Sequence, residues 1–115
     1  MEAYRFPEGV ISIAACDAEQ CIGTLTLHPE ESLERHNRPV DEQLLQLHGT
    51  SEMELYSGDE LEETVELTPG DTLTIPAGKY HAHTNPGGER SVTVWRFDGD
   101  IRGIIEDIRE DNEPL

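Results

Sequence analysis

Lysine is almost missing from this chain: Lys79 is the only one, and Lys and Arg together number 8 against 25 Asp and Glu, for a formal net charge of −17 over 115 residues. A field of that sign repels phosphates, which excludes nucleic acids and anionic membrane surfaces as partners. No apolar run is long enough to span a bilayer, and no basic segment followed by an apolar stretch opens the chain. Neither a membrane span nor a signal peptide is expected, and a soluble cytoplasmic protein is the expectation. Internal repeats, low-complexity segments and linkers are also missing. The length suits one domain, 1–115, with one core and one pocket.

Cysteine is scarce. Cys16 and Cys21 sit five apart, a spacing that matches no common zinc pattern. The expectation is two buried thiols in a reducing compartment, with a disulfide across a hairpin as the alternative. The serines lack a nucleophile motif, and Pro86-Gly87-Gly88 reads as a hairpin turn rather than a phosphate cradle.

The acids are interleaved with apolar residues, which points to an acidic surface on a folded core rather than to disorder. Acid-rich, lysine-poor surfaces suit a high-salt cytoplasm, where counterions screen self-repulsion. Short β-like runs recur about every ten residues between turn residues. They cover Val10 to Cys16, Cys21 to Leu27, Gln43 to Leu47, Glu52 to Tyr56, Leu61 to Leu67, Thr72 to Ile75, Lys79 to Thr84 and Ser91 to Phe97. The tail switches period: Ile101, Ile104, Ile105 and Ile108 recur at helical spacing, and Asp100 is a candidate cap. This predicts an all-β sandwich or barrel over about 9–98 and an amphipathic helix over about 100–111, packed outside it.

The chemistry concentrates in two segments. One reads Gly70, five residues, Pro76, Ala77, Gly78, two residues, His81, three residues, Asn85. Gly70 permits a positive φ after Pro69, and Pro76 with Gly78 makes a sharp corner. The other segment holds His36, Arg38 and Glu42, with Gly49 following Glu42 after six residues. The first segment resembles the second motif of the cupin superfamily at every defined position. The other resembles the first cupin motif, except that Arg38 stands where the family has a second histidine. The resemblance spans about Cys21 to Phe97 and implies a cupin-type β-barrel, a double-stranded β-helix or jelly roll.

Carried over position by position, the resemblance implies His36, Glu42 and His81 as ligands of a divalent metal: zinc, iron, manganese or nickel. Two imidazoles and a carboxylate suit such an ion and leave positions open. Arginine has no lone pair to give. Two residues from His36 on a strand, Arg38 shares its side and is a candidate clamp for the carboxylate or phosphate of a small molecule. The alternative is a decayed site in which Arg38 pairs with Glu42. Alternation puts His83 and Asn85 on the side of His81, and Gln46 on that of Glu42. All three are pocket candidates, with Asn85 also expected to tie the strand end and His83 to serve as a hydrogen-bonding wall or a further ligand. Lys79 and Tyr80 are expected at the surface or rim, His28 at the surface or packed in its loop, and Trp95 with Phe97 in the core. Leu45 and Leu47 face away from Glu42. That suggests cover by a second copy, hence a homodimer, or by another part of the chain.

These residues support a small metal-dependent enzyme acting on a polar or anionic metabolite, as an oxygenase, isomerase or lyase. They equally support a non-catalytic module that binds or senses a small ligand, and less readily a purely structural barrel. The fold does not choose among them.

Overall fold

A computed structural model describes residues 2–115. The strands run β1 (Glu2–Phe6), β2 (Gly9–Cys16), β3 (Cys21–Leu27), β4 (Glu42–His48), β5 (Ser51–Ser57), β6 (Glu60–Leu67), β7 (Thr72–Ile75), β8 (His81–Thr84) and β9 (Ser91–Phe97), followed by helix α1 (Arg102–Asp111) and a two-residue β10 (Glu113–Pro114). Two antiparallel sheets face each other in a double-stranded β-helix. One has the order β10-β1-β2-β3-β9-β4-β7, the other β6-β5-β8.

Alternation dictates which side chains meet inside. In β3, β5 and β9 every second residue is buried. The core holds Leu25, Leu27, Leu44, Met53, Leu67, Ile75, Trp95 and Phe97. Inward positions of β4 are Glu42, Leu44 and Gln46, so the pleat that buries Leu44 also carries a carboxylate indoors. β6 lies at a sheet edge with Glu60, Glu62, Glu63 and Glu66 exposed, charges that deter edge-to-edge pairing.

The Pro76–Gly78 corner turns as its residues demand. Gly78 has φ +80° and donates its N–H to the Arg38 carbonyl at 2.8 Å. The Asp41 carboxylate accepts the Ala77 N–H at 2.8 Å. The corner is thereby fastened to the segment that carries His36 and Arg38.

Three features differ from the sequence expectations. Cys16 and Cys21 are joined in a disulfide, not kept as two thiols. They are register partners across the β2–β3 hairpin, whose turn is tied by the Asp17 carboxylate accepting the Glu19 and Gln20 N–H groups. The sheet begins at β1 rather than near residue 9, and β10 closes onto it with Tyr4 opposite Pro114. Both are short and mixed in polarity, so neither carries a periodic signal. Finally, α1 starts from Ile101 without a side-chain cap at that position; Asp100, one residue earlier, accepts the Arg102 N–H at 3.1 Å.

No helix is long and apolar enough to cross a membrane. Arg109 of α1 donates to Glu2 at 2.9 Å and also pairs with Glu106. Ile101 and Ile105 are buried against the barrel.

Candidate metal centre

Three histidines converge at one end of the barrel. His81 and His83 share the inward face of β8 and are 1% and 5% exposed. His36 reaches them because its segment runs antiparallel along β8. The His36 N–H donates to the His81 carbonyl at 2.9 Å, and the His81 N–H donates back at 2.8 Å. Ligating nitrogens of His36, His81 and His83 all lie within 4.8 Å of one another. Glu42 borders the cluster. Its Oε1 is 3.1 Å from His81 Nε2 and 4.0 Å from His83 Nε2.

Hydrogen bonds orient the rings. His36 Nδ1 lies 3.0 Å from the Glu34 carbonyl and His81 Nδ1 2.9 Å from the Lys79 carbonyl. A carbonyl only accepts, so each Nδ1 carries a proton, and the lone pair of such a ring, when neutral, is on Nε2. Burial pushes His36 down to about 3, helped by the Arg38 guanidinium and the other two imidazoles. Burial also pushes His83 down to about 4, against the pull of Glu42. Both rings are neutral at pH 7 and able to donate a lone pair. Burial pushes the Glu42 carboxyl up, but the three imidazoles outweigh it and hold it below the usual carboxylate range.

His81 Nε2 and Glu42 Oε1 are close but not aligned as a hydrogen bond, and both are buried atoms without a partner. A lone pair facing a carboxylate oxygen across 3.1 Å is unfavourable unless a cation sits between them. Two donors about 2.1 Å from a shared ion lie about 3.0–3.4 Å apart, or about 4.2 Å when opposite. The Glu42 contacts fall between those limits; a histidine pair at the full 4.8 Å would close by about 0.6 Å to sit opposite and by about 1.4 Å to sit adjacent. The donor set fits a divalent ion.

Arg38 is half-buried at the same cleft and, among the described residues, makes no side-chain hydrogen bond and no ion pair. It does not neutralise Glu42, so the expected alternative of a site filled by that pair is not what the chain adopts. Burial lowers the pKa of its guanidinium, while Glu42 works the other way. Five of the 8 cationic side chains have an acidic partner; Arg5 and Arg90 lack one but are exposed.

The cleft holds about 440 Å³ counted out to its mouth. Its polar end is His36, Arg38, Glu42 and His83, and the rest is apolar. α1 forms one wall through its isoleucines instead of packing remote from the site. That role was not readable from the sequence, where the helical period marks an apolar face but not what it covers.

Two pocket candidates do not line the cleft. Gln46 is fully buried in a separate polar network: Thr93 Oγ1 donates to its Oε1 at 2.7 Å, and its Nε2 donates to Ser91 Oγ at 3.0 Å and to the His48 carbonyl at 2.9 Å. Asn85 Nδ2 donates to the carbonyls of Leu27, His28 and Glu89, and its Oδ1 accepts the Gly87 N–H. It ties the strand end, as expected. Lys79 pairs with Glu62 and Tyr80 is exposed, and neither lines the cleft. His28 is exposed.

Two facing antiparallel sheets with a histidine cluster at one mouth define a small β-barrel of the jelly-roll kind. Residues 23–97 match the cupin domain family, and the chain belongs to it. Among solved structures, a cupin superfamily protein from Desulfitobacterium hafniense is 22% identical with a TM-score of 0.70, over 84% of this chain and 82% of that one. KdgF from Halomonas sp. is 18% identical with a TM-score of 0.72, over 86% and 87%. The formate complex of Lactobacillus farciminis oxalate decarboxylase is 20% identical with a TM-score of 0.76, over 86% of this chain and 31% of that one. At these identities the likeness is one of fold. No curated protein matches the chain.

Proposed function

We propose that this cupin domain, taking in residues 1–115, binds a divalent transition metal through His36, His81, His83 and Glu42, and holds a small anionic molecule beside it with Arg38. The observation that carries this reading is the buried pair His81 Nε2 and Glu42 Oε1, 3.1 Å apart and each without a partner. His83 joins the ligand set because its nitrogen lies within the same group as those of His36 and His81. A bound ion would supply Lewis-acid polarisation, or oxygen activation if it is iron. This chain's part is to present neutral imidazoles, keep Glu42 ionised and fix an anion near the centre. The same arrangement also serves a non-catalytic receptor.

Elemental analysis of protein purified without added metal tests the reading. Near-stoichiometric zinc, iron, manganese or nickel that disappears in His36→Ala and His81→Ala supports it. Metal-free protein that takes up none of these ions on dialysis removes it. Arg38→Ala is expected to weaken anion binding and leave metal content intact.

A homodimer belongs to the same proposal. Leu45 and Leu47 are 36% and 50% exposed on the outer face of β4. The shallow groove there is lined by Ile22, Leu45, Val94, Thr72 and Thr74 among others, with no Asp or Glu. On a chain of charge −17, a face that mixes aliphatic residues with Gln43, threonines and Arg96 but carries no acid is where two copies approach with least repulsion.

A further inference from the structure

Arg38 makes no ion pair among the described residues, and what surrounds it narrows the anion it would take. Beyond the polar end, the cleft wall is aliphatic and aromatic: Ile11 and Leu25 from the barrel, Trp95 and Phe97 from β9, and Ile104 and Ile108 from α1. No further hydroxyl, amide or acid lines that stretch, so a sugar acid or a phosphate ester would leave its own polar groups unpaired there.

Size sets the other bound. The room inside for the centres of water-sized molecules is about 60 Å³, which corresponds to about five waters. That suits a ligand of a few heavy atoms.

We propose that the cleft binds a short monocarboxylate with an unsubstituted aliphatic body, of the butyrate or branched-chain class. Arg38 takes the carboxylate and the α1 isoleucines enclose the chain. This rests on the anion-holding role of Arg38 above but not on the presence of a metal. α1 then acts as the wall that selects for hydrocarbon, and a polar substituent on the chain is what it rejects.

Trp95 is the single tryptophan and lines the cleft, so its fluorescence reports occupancy directly. The full-length protein is titrated at constant ionic strength with acetate, propionate, butyrate, isovalerate, glycerate, inorganic phosphate and 1-butanol, each with and without a chelator. Affinity is expected to rise about fourfold per added methylene from acetate to butyrate, and to stop rising once the cleft is full. Glycerate and phosphate are expected to bind at least tenfold more weakly than butyrate. Arg38→Gln should abolish the preference of butyrate over butanol. Ile104→Thr, at a half-buried position, should flatten the methylene increment. Equal binding along the series, tighter phosphate binding, or an unchanged response in Arg38→Gln would overturn the proposal. So would butyrate binding that vanishes with chelator, since the anion would then sit on the metal. A protein that takes up no metal but still shows the series would fail only the metal reading.

Discussion

Lowering the pH on metal-free protein should unfold it for a reason localised at His36 and His83. Both rings are held neutral by burial, His36 down to about 3 and His83 down to about 4, while their unfolded counterparts titrate at about 6.5. A folded state that binds fewer protons than the unfolded one loses stability as pH falls. The contribution is fully present above pH 6.5 and is lost through the window down to about 4 and then 3. Each such ring loses about 1.4 kcal/mol per pH unit inside that window, or about 1.9 kcal/mol between pH 7 and pH 5. His36 is only half-buried, and water screens part of its share, which brings the pair to about 3 kcal/mol. For a chain of 115 residues that corresponds to a Tm lower by about 12 °C. Urea unfolding at pH 5, 6 and 7 in chelator, followed by Trp95 fluorescence and far-UV circular dichroism, gives the slope. His36→Gln with His83→Gln shifts the whole curve by an unknown offset but should remove most of its pH dependence. The many surface carboxylates are common to both proteins and cancel in the comparison. A double variant with the same slope as the parent would refute the reasoning.

Three further outcomes follow from packing. Gly23→Ala would place a methyl group against the Ser12 carbonyl and the Trp95 ring, and should cost about 1–3 kcal/mol with a visible shift of tryptophan emission; an unchanged denaturation midpoint contradicts the contact. Gln46→Leu leaves the buried hydroxyls of Ser91 and Thr93 without their amide partner, and should cost about 2–4 kcal/mol by chemical denaturation, with metal content untouched. Leu45→Asp should convert a dimer to monomer in sedimentation at high salt without altering thermal stability by more than about 0.5 kcal/mol; a parent protein that sediments as a monomer removes the proposed interface.

Much of the barrel is legible in residue order because its turns use residues with few alternatives. Gly70, Pro76 and Gly78 each mark a bend that other side chains resist, so the corner before His81 can be located from the chain alone. Alternation then places His83 with His81, and Glu42 inward beside Leu44. Which imidazoles meet is a matter of register, and nothing local to His36 says that it lies opposite His81. The same holds for Gln46: alternation correctly turns it inward, but it meets the hydroxyls of Ser91 and Thr93, and only the pairing of β4 with β9 makes that so. The Cys16–Cys21 bridge also depends on register across a hairpin. The isoleucine face of α1 is plain in the sequence, while the opening it covers depends on where the chain leaves β9.

The wall that α1 gives the cleft is clasped at both margins. Ile101 and Ile105 anchor one side, while Arg109 grips Glu2 and the strand after the helix zips onto β1. A wall held along both margins keeps its distance from the barrel, so the width of the opening is set by the isoleucine side chains themselves and not by any swing of the helix. Trimming or lengthening one of those side chains should then change which guests fit without changing how the barrel holds together.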